Sequence, residues 1–87
     1  MSKKIFQEFT SANILGVALE HNGLQGGNHS HGGFVKIIIE NLANTNMALN
    51  GEDCEWFELT FRGDSERNTL LSALKMIVKE LENNTTV

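Results

Sequence analysis

Phe34-Val35-Lys36-Ile37-Ile38-Ile39-Glu40-Asn41-Leu42 is the stretch on which the fold turns. In an extended chain Val35, Ile37 and Ile39 share one face, and Phe34, Lys36, Ile38 and Glu40 share the other. β-branched residues suit a pleated surface. A strand with one apolar and one half-polar face belongs in an antiparallel sheet with only one side fully covered. Upstream, residues 13–21 read as a second strand, with Leu15, Val17 and Leu19 on one face. Gly16 interrupts that strand and marks a bulge or a close approach. Downstream, residues 54–61 read as a third strand. Phe57, Leu59 and Phe61 point one way, and Trp56, Glu58 and Thr60 the other. A short extended piece around residues 47–49 pairs ahead of Asn50-Gly51, a dipeptide that tolerates the positive φ angles of a tight hairpin.

The C-terminal segment changes period. Leu70, Leu74, Ile77 and Leu81 recur at helical spacing, and Leu71 and Val78 widen the stripe. Asp64 or Ser65 is placed to cap this helix, and Glu66 in the first turn favours its dipole. Lys75, Lys79, Glu80 and Glu82 lie off the stripe. Residues 3–10 fit either a helical turn or an extended arm into residues 13–21, and the extended reading is adopted. The expectation is an α+β domain over residues 1–82. It comprises a small antiparallel sheet of three or four strands with one C-terminal helix packed on it, followed by a disordered tail, 83–87. A lone helix covers part of one sheet face. Phe34, Ile38, Trp56 and Leu42 on the other face predict a second subunit there, hence a homo-oligomer.

Composition agrees with a small chain in need of support. There are 87 residues, one cysteine and no proline, with a net charge of −4. Burying about 5,000 Å² of apolar surface yields about 125 kcal/mol as an upper bound. Ordering the chain costs about 130 kcal/mol. Cys54 alone cannot form an internal disulfide. No apolar run approaches the length of a membrane-spanning helix. The basic start, Met1 to Lys4, lacks the apolar stretch of a secretory signal. The expectation is a cytoplasmic protein (host cytoplasm if phage-encoded) that binds neither membranes nor nucleic-acid polymers, because its acidic balance opposes both.

The segment 21–33, His-Asn-Gly-Leu-Gln-Gly-Gly-Asn-His-Ser-His-Gly-Gly, holds five glycines and three histidines in thirteen residues. It joins two strands and is far longer than a hairpin requires. Glycine pairs let backbone N–H groups converge on one anion, and histidine and asparagine add donors. Arg62 and Arg67 flank the helix start, whose dipole also attracts anions. The pattern is neither a Walker loop nor a dinucleotide fingerprint. His29, His31, Asn28, Gly26, Gly27 and Arg62 are the candidate contacts to a phosphate-bearing nucleotide, and Trp56 is a candidate for stacking on a base. Three other readings stand beside this one. His29 and His31, with His21 or Cys54, have the donors for zinc, but a glycine-rich loop orients ligands poorly. Ser30 between two histidines suggests a nucleophile, yet neighbours in an extended chain point to opposite sides. A mobile loop with solvated histidines is the fourth. No metal, cofactor or catalytic residue is assigned, and a non-enzymatic role is expected. Glu52, Asp53, Glu55 and Glu58 form an acidic cluster that offers an alternative. In it, an acidic strand edge and the exposed apolar face bind and inhibit a host enzyme. Arg62-Gly63-Asp64 spells an adhesion tripeptide, read here as chance.

The small size, the start Met1-Ser2-Lys3-Lys4, the proline-free strand pattern and the run Glu20-His21-Asn22-Gly23-Leu24-Gln25-Gly26-Gly27 together resemble small accessory proteins of T-even-type bacteriophages. Among these are proteins that sequester cyclic dinucleotide signals and so block the host's CBASS defence. The resemblance implies a non-enzymatic, oligomeric sponge with a cyclic dinucleotide at a subunit interface. Loop histidines and glycines would face its phosphates, and Trp56 would stack on a base.

Overall fold

The computed structural model describes residues 2–27 and 32–83. Strands β1 (Lys3–Thr10), β2 (Ile14–His21), β3 (Phe34–Ala43) and β6 (Trp56–Arg62) form one sheet in the order β1-β2-β3-β6. All three pairings are antiparallel. Between β3 and β6 the two-residue strands β4 (Ala48–Leu49) and β5 (Glu52–Asp53) make a separate hairpin. Its loop is Asn50-Gly51, with φ of 54° and 83°, as the dipeptide predicts for a tight turn. Helix α1 (Asp64–Asn83) follows β6 directly and packs on β6 and β3. The α+β architecture matches the sequence expectation, with four main strands.

Residues 3–10, ambiguous between helix and strand, form the edge strand β1. The full-length hairpin to β2 decides this, because every residue of β1 pairs, from Lys3 opposite His21 to Thr10 opposite Ile14. Two sequence details are corrected. The helix continues through Asn83, one residue beyond the expected end; residues 84–87 lie outside the described part. The cap is Gly63 instead of Asp64 or Ser65, for the Gly63 carbonyl accepts the Arg67 N–H at 3.0 Å, which is the first helical hydrogen bond. Gly63, at a φ of 115°, makes the sharp turn from strand to helix that a side-chain-bearing residue resists.

Register assigns the two faces. Ile5, Phe9, Leu15, Val17, Leu19, Val35, Ile37, Phe57, Leu59 and Phe61 alternate onto the face that α1 partly covers. A groove of about 170 Å³ runs between helix and sheet, lined by Leu19, His21, Val35, Ile37, Leu70 and Leu74 among others. The opposite face carries Lys4, Phe6, Glu8, Ala18, Glu20, Lys36, Ile38, Trp56, Glu58 and Arg62. Gly16 lies on this second face. A Cβ there would stand 3.1 Å from Leu42 Cδ1 and 3.2 Å from Phe6 Cε1. The glycine therefore makes room for two apolar side chains, and the ladder shifts register beside it, between Ile14 and Leu15. Both readings of Gly16 are realised.

A single copy is thinly packed. Val35, at 8% exposure, is the only large apolar residue among the described ones that counts as buried. No residue of α1 is buried. The radius of gyration is 14.8 Å, against about 12 Å for a compact chain of this length. Accessible surface is 6609 Å², against about 5,100 Å² for a folded monomer of this mass.

Candidate functional site

The described parts of the glycine-rich segment, residues 22–27 and 32–33, lie at the end of the sheet where β2 ends, β3 begins and β6 turns into α1. The neck of the loop is Asn22, whose side-chain oxygen accepts the Phe34 N–H at 2.8 Å. The Asn22 carbonyl accepts from the Gln25 side-chain amide at 2.5 Å. Gly33 is buried here because nothing larger fits. A Cβ would lie 2.5 Å from the Gly23 carbonyl and 3.0 Å from the Asp64 carboxylate.

Asp64 organises the rest. Its carboxylate accepts the Gln25 N–H at 3.0 Å and the Gly26 N–H at 2.6 Å. Its own N–H donates to the Gly27 carbonyl at 2.5 Å, and the Gly63 N–H donates to the Gly33 carbonyl at 2.6 Å. The strand–helix corner is thus stitched to both arms of the loop. The Gln25 N–H, then the Gly26 N–H, hold the Asp64 carboxyl below the usual carboxylate range; desolvation opposes them, and the Gly33 N–H and the Arg67 charge add to the lowering. Such donation favours the ionised form. The sequence reading foresaw backbone donors converging on an anion. In the structure two of them hold the chain's own carboxylate.

The candidate residues are distributed as follows. Gly26 and Gly27 sit in the Asp64 clamp, the first through its N–H and the second through its carbonyl. Asn28, His29 and His31 lie outside the described residues, as does Ser30. Arg62 is on the open sheet face and Arg67 on the helix-covered face, so the two arginines do not converge at the helix start. Arg67 Nη1 instead lies 3.4 Å from His21 Nδ1, which also accepts the Gly23 N–H at 3.1 Å. Trp56 is 59% exposed. It shares the open face with Arg62 but stands six residues along β6, or about 20 Å away at strand spacing.

Arg62 has companions that sequence reading missed. With Lys36, Thr60, Glu58, Phe34, Gly32 and Gly33 it lines an open depression of about 350 Å³ beside the loop. Its lining holds two cations, Lys36 and Arg62, and one carboxylate, Glu58. Lys36 also reaches Glu20, Nζ to Oε1 at 3.9 Å. The missed signal was positional. Lys36 and Thr60 are cross-strand partners, and Phe34 pairs with Arg62, so the register of β3 with β6 builds the depression. Asp64 was also missed, although a carboxylate at a strand–helix corner is a natural acceptor for glycine N–H groups. Its engagement also commits the Asp64 of the Arg62-Gly63-Asp64 tripeptide. Among the described residues no three His, Cys, Asp or Glu side chains cluster as a metal site. Cys54 is half-buried.

No protein-family model matches the chain, and neither the curated proteins nor the solved structures provide a match.

Proposed function

We propose that this chain is a non-enzymatic binding protein that sequesters a phosphate-bearing nucleotide, a cyclic one in line with the phage counter-defence resemblance, and that it works as an assembly of copies. The observation that carries the reading is the depression that gathers Lys36, Arg62 and Thr60 beside Gly32 and Gly33. Two cations and a hydroxyl on a sheet suit a phosphate, with Arg62 and Lys36 offsetting the Glu58 carboxylate in the same lining. The sheet holds them in place without the loop, whose N–H groups at Gln25 and Gly26 are engaged by Asp64. Phe34 offers an apolar wall for a base. The 20 Å between Arg62 and Trp56 exceeds one nucleotide, so stacking on Trp56 belongs to a second nucleotide unit or a second copy. Asn28, His29 and His31 would add donors from the adjoining loop.

Isothermal titration against cyclic di- and trinucleotides and linear nucleotides tests this. One ligand binds, and it is recovered intact. Arg62→Ala and Lys36→Ala each weaken it by about tenfold to a hundredfold, as expected for losing a hydrogen bond to a charged group. No binding by any nucleotide, or binding unchanged in both variants, overturns it.

A second reading has its own observation. Glu52, Asp53, Glu55 and Glu58 are all exposed along β5 and the start of β6, with Trp56 among them. An aromatic anchor ringed by carboxylates suits a basic protein surface, in line with inhibition of a host enzyme. Charge reversal at Glu52 and Glu55, neither of which lines the depression, would abolish that activity and spare nucleotide binding.

A further inference from the structure

Strand β1 is an open sheet edge of unusual completeness. All eight of its residues are exposed. It pairs with β2 without a bulge, and the chain contains no proline. Natural edges of this length are normally bent, broken, covered or charged, because their free N–H and C=O groups invite another strand; of these devices β1 has its charges, Lys3, Lys4 and Glu8. Ile5, Phe6 and Phe9 on this strand are 45%, 57% and 50% exposed.

The strand is also complementary to itself. A two-fold axis normal to the sheet brings together only residues of the same face, so the available registers centre on Ile5, Phe6 or Gln7. Centring on Phe6 sets Lys4 opposite the partner's Glu8, twice, with Phe6 against Phe6, Lys3 opposite Phe9 and Ile5 opposite Gln7. Centring on Gln7 sets Ile5 opposite Phe9 but Glu8 opposite Phe6, and centring on Ile5 sets Lys4 opposite Phe6. Each register sets a charge against a ring, and of the three the Phe6 register alone forms opposite-charge pairs. The Phe6 register also continues a pattern already present. Lys4 faces Glu20 and Glu20 faces Lys36 across β1, β2 and β3, so a partner's Glu8 would extend the row with the correct sign. Within its own copy Glu8 stands opposite Gly16, which offers it no side chain. On the other face Ile5 would lie diagonal to Phe9 of the second copy, within reach for long side chains.

Charge complementarity supports a second copy as the occupant, because Lys4 and Glu8 of the open edge stand at the spacing that matches each to the other across a two-fold axis. We propose that β1 pairs antiparallel with β1 of a second copy about an axis through Phe6, joining two four-stranded sheets into one of eight strands. This rests on the proposed assembly of copies and names its surface.

The test uses the full chain in sedimentation equilibrium, with circular dichroism to check folding. Wild type is expected to be dimeric at micromolar concentration. Glu8→Lys sets two lysine pairs across the axis and raises the dimer Kd at least tenfold; Lys4→Glu does the same with carboxylates. The double variant Lys4→Glu/Glu8→Lys restores opposite charges across the axis and brings the Kd below that of either single variant, short of wild type because position 4 then carries a carboxylate opposite Glu20. On a Cys54→Ser background, Phe6→Cys crosslinks to itself on oxidation, whereas Ile5→Cys and Gln7→Cys do not. A monomeric wild type overturns both this interface and the proposed assembly. A dimer indifferent to the single charge changes overturns the interface alone and leaves the assembly standing.

Discussion

Asp64 shows how one side chain can define a corner. Its carboxylate is the acceptor for Gln25 and Gly26 N–H groups that a glycine-rich loop exposes. Because those donors lower its folded pKa, the clamp contributes stability above the unfolded value of about 3.9. That contribution is lost as pH falls through the lower, folded value. Asp64→Asn is therefore expected to lower the thermal midpoint at pH 7. The gap between variant and wild type should close as pH falls below about 4. Midpoints measured from pH 7 to pH 2 check this, and a gap that does not change with pH contradicts it. Sequence reading placed Asp64 at the right corner but gave it the wrong partner. A cap and a loop clamp use the same carboxylate, and only the path of residues 22–27 distinguishes them.

At the scale of elements, β2 is the least ordinary. It carries a glycine where a strand is usually stiffened, because Phe6 and Leu42 occupy the space a side chain would need. Gly16→Val adds three carbons against both. It is expected to destabilise the fold by about 1–3 kcal/mol, the usual range for overpacking, as read from denaturant midpoints with an unchanged slope. A smaller loss or a gain would mean that the ends of Phe6 and Leu42 shift freely. Helix α1 is the opposite case. Leu70, Leu74, Ile77 and Leu81 announced it by period alone, yet it leaves Ile77, Val78 and Leu81 at 46%, 54% and 65% exposure. An amphipathic stripe announces a helix without saying how much of the stripe its own sheet will cover.

The whole molecule is two partly dressed sheet faces, an open edge and a helix lying over β6 and β3. The proposed assembly would supply part of the stability that so thin a fold lacks, and unfolding would then depend on protein concentration. A hundredfold dilution is expected to lower the thermal midpoint by about 5 °C or more. Glu8→Lys should largely remove that dependence. Scans at several concentrations measure it, and a midpoint independent of concentration in wild type argues for a self-sufficient monomer. At this scale the two proposals meet physically. Pairing through β1 leaves the Lys36–Arg62 depression at the opposite side of each sheet open, so ligand and partner do not compete for one surface.

Period and turn chemistry in the chain itself determined the elements. Alternation from Val35 to Ile39 and from Trp56 to Phe61 determined strands and their faces, Asn50-Gly51 the small hairpin, and the leucine spacing the helix. These are local properties, set by the geometry of a two-residue pleat and a 3.6-residue turn. Tertiary structure decided what depends on distant residues meeting. Pairing with β2 made residues 3–10 a strand, although their own spacing also fitted a helical turn. Register between β3 and β6 brought Lys36 to Thr60 and Phe34 to Arg62, and held Trp56 and Arg62 apart. The corner at Gly63 turned Asp64 toward Gln25 and Gly26 and separated Arg62 from Arg67. In each case the deciding quantity is a strand register or a chain reversal, and neither is written in the residues on one side of it alone.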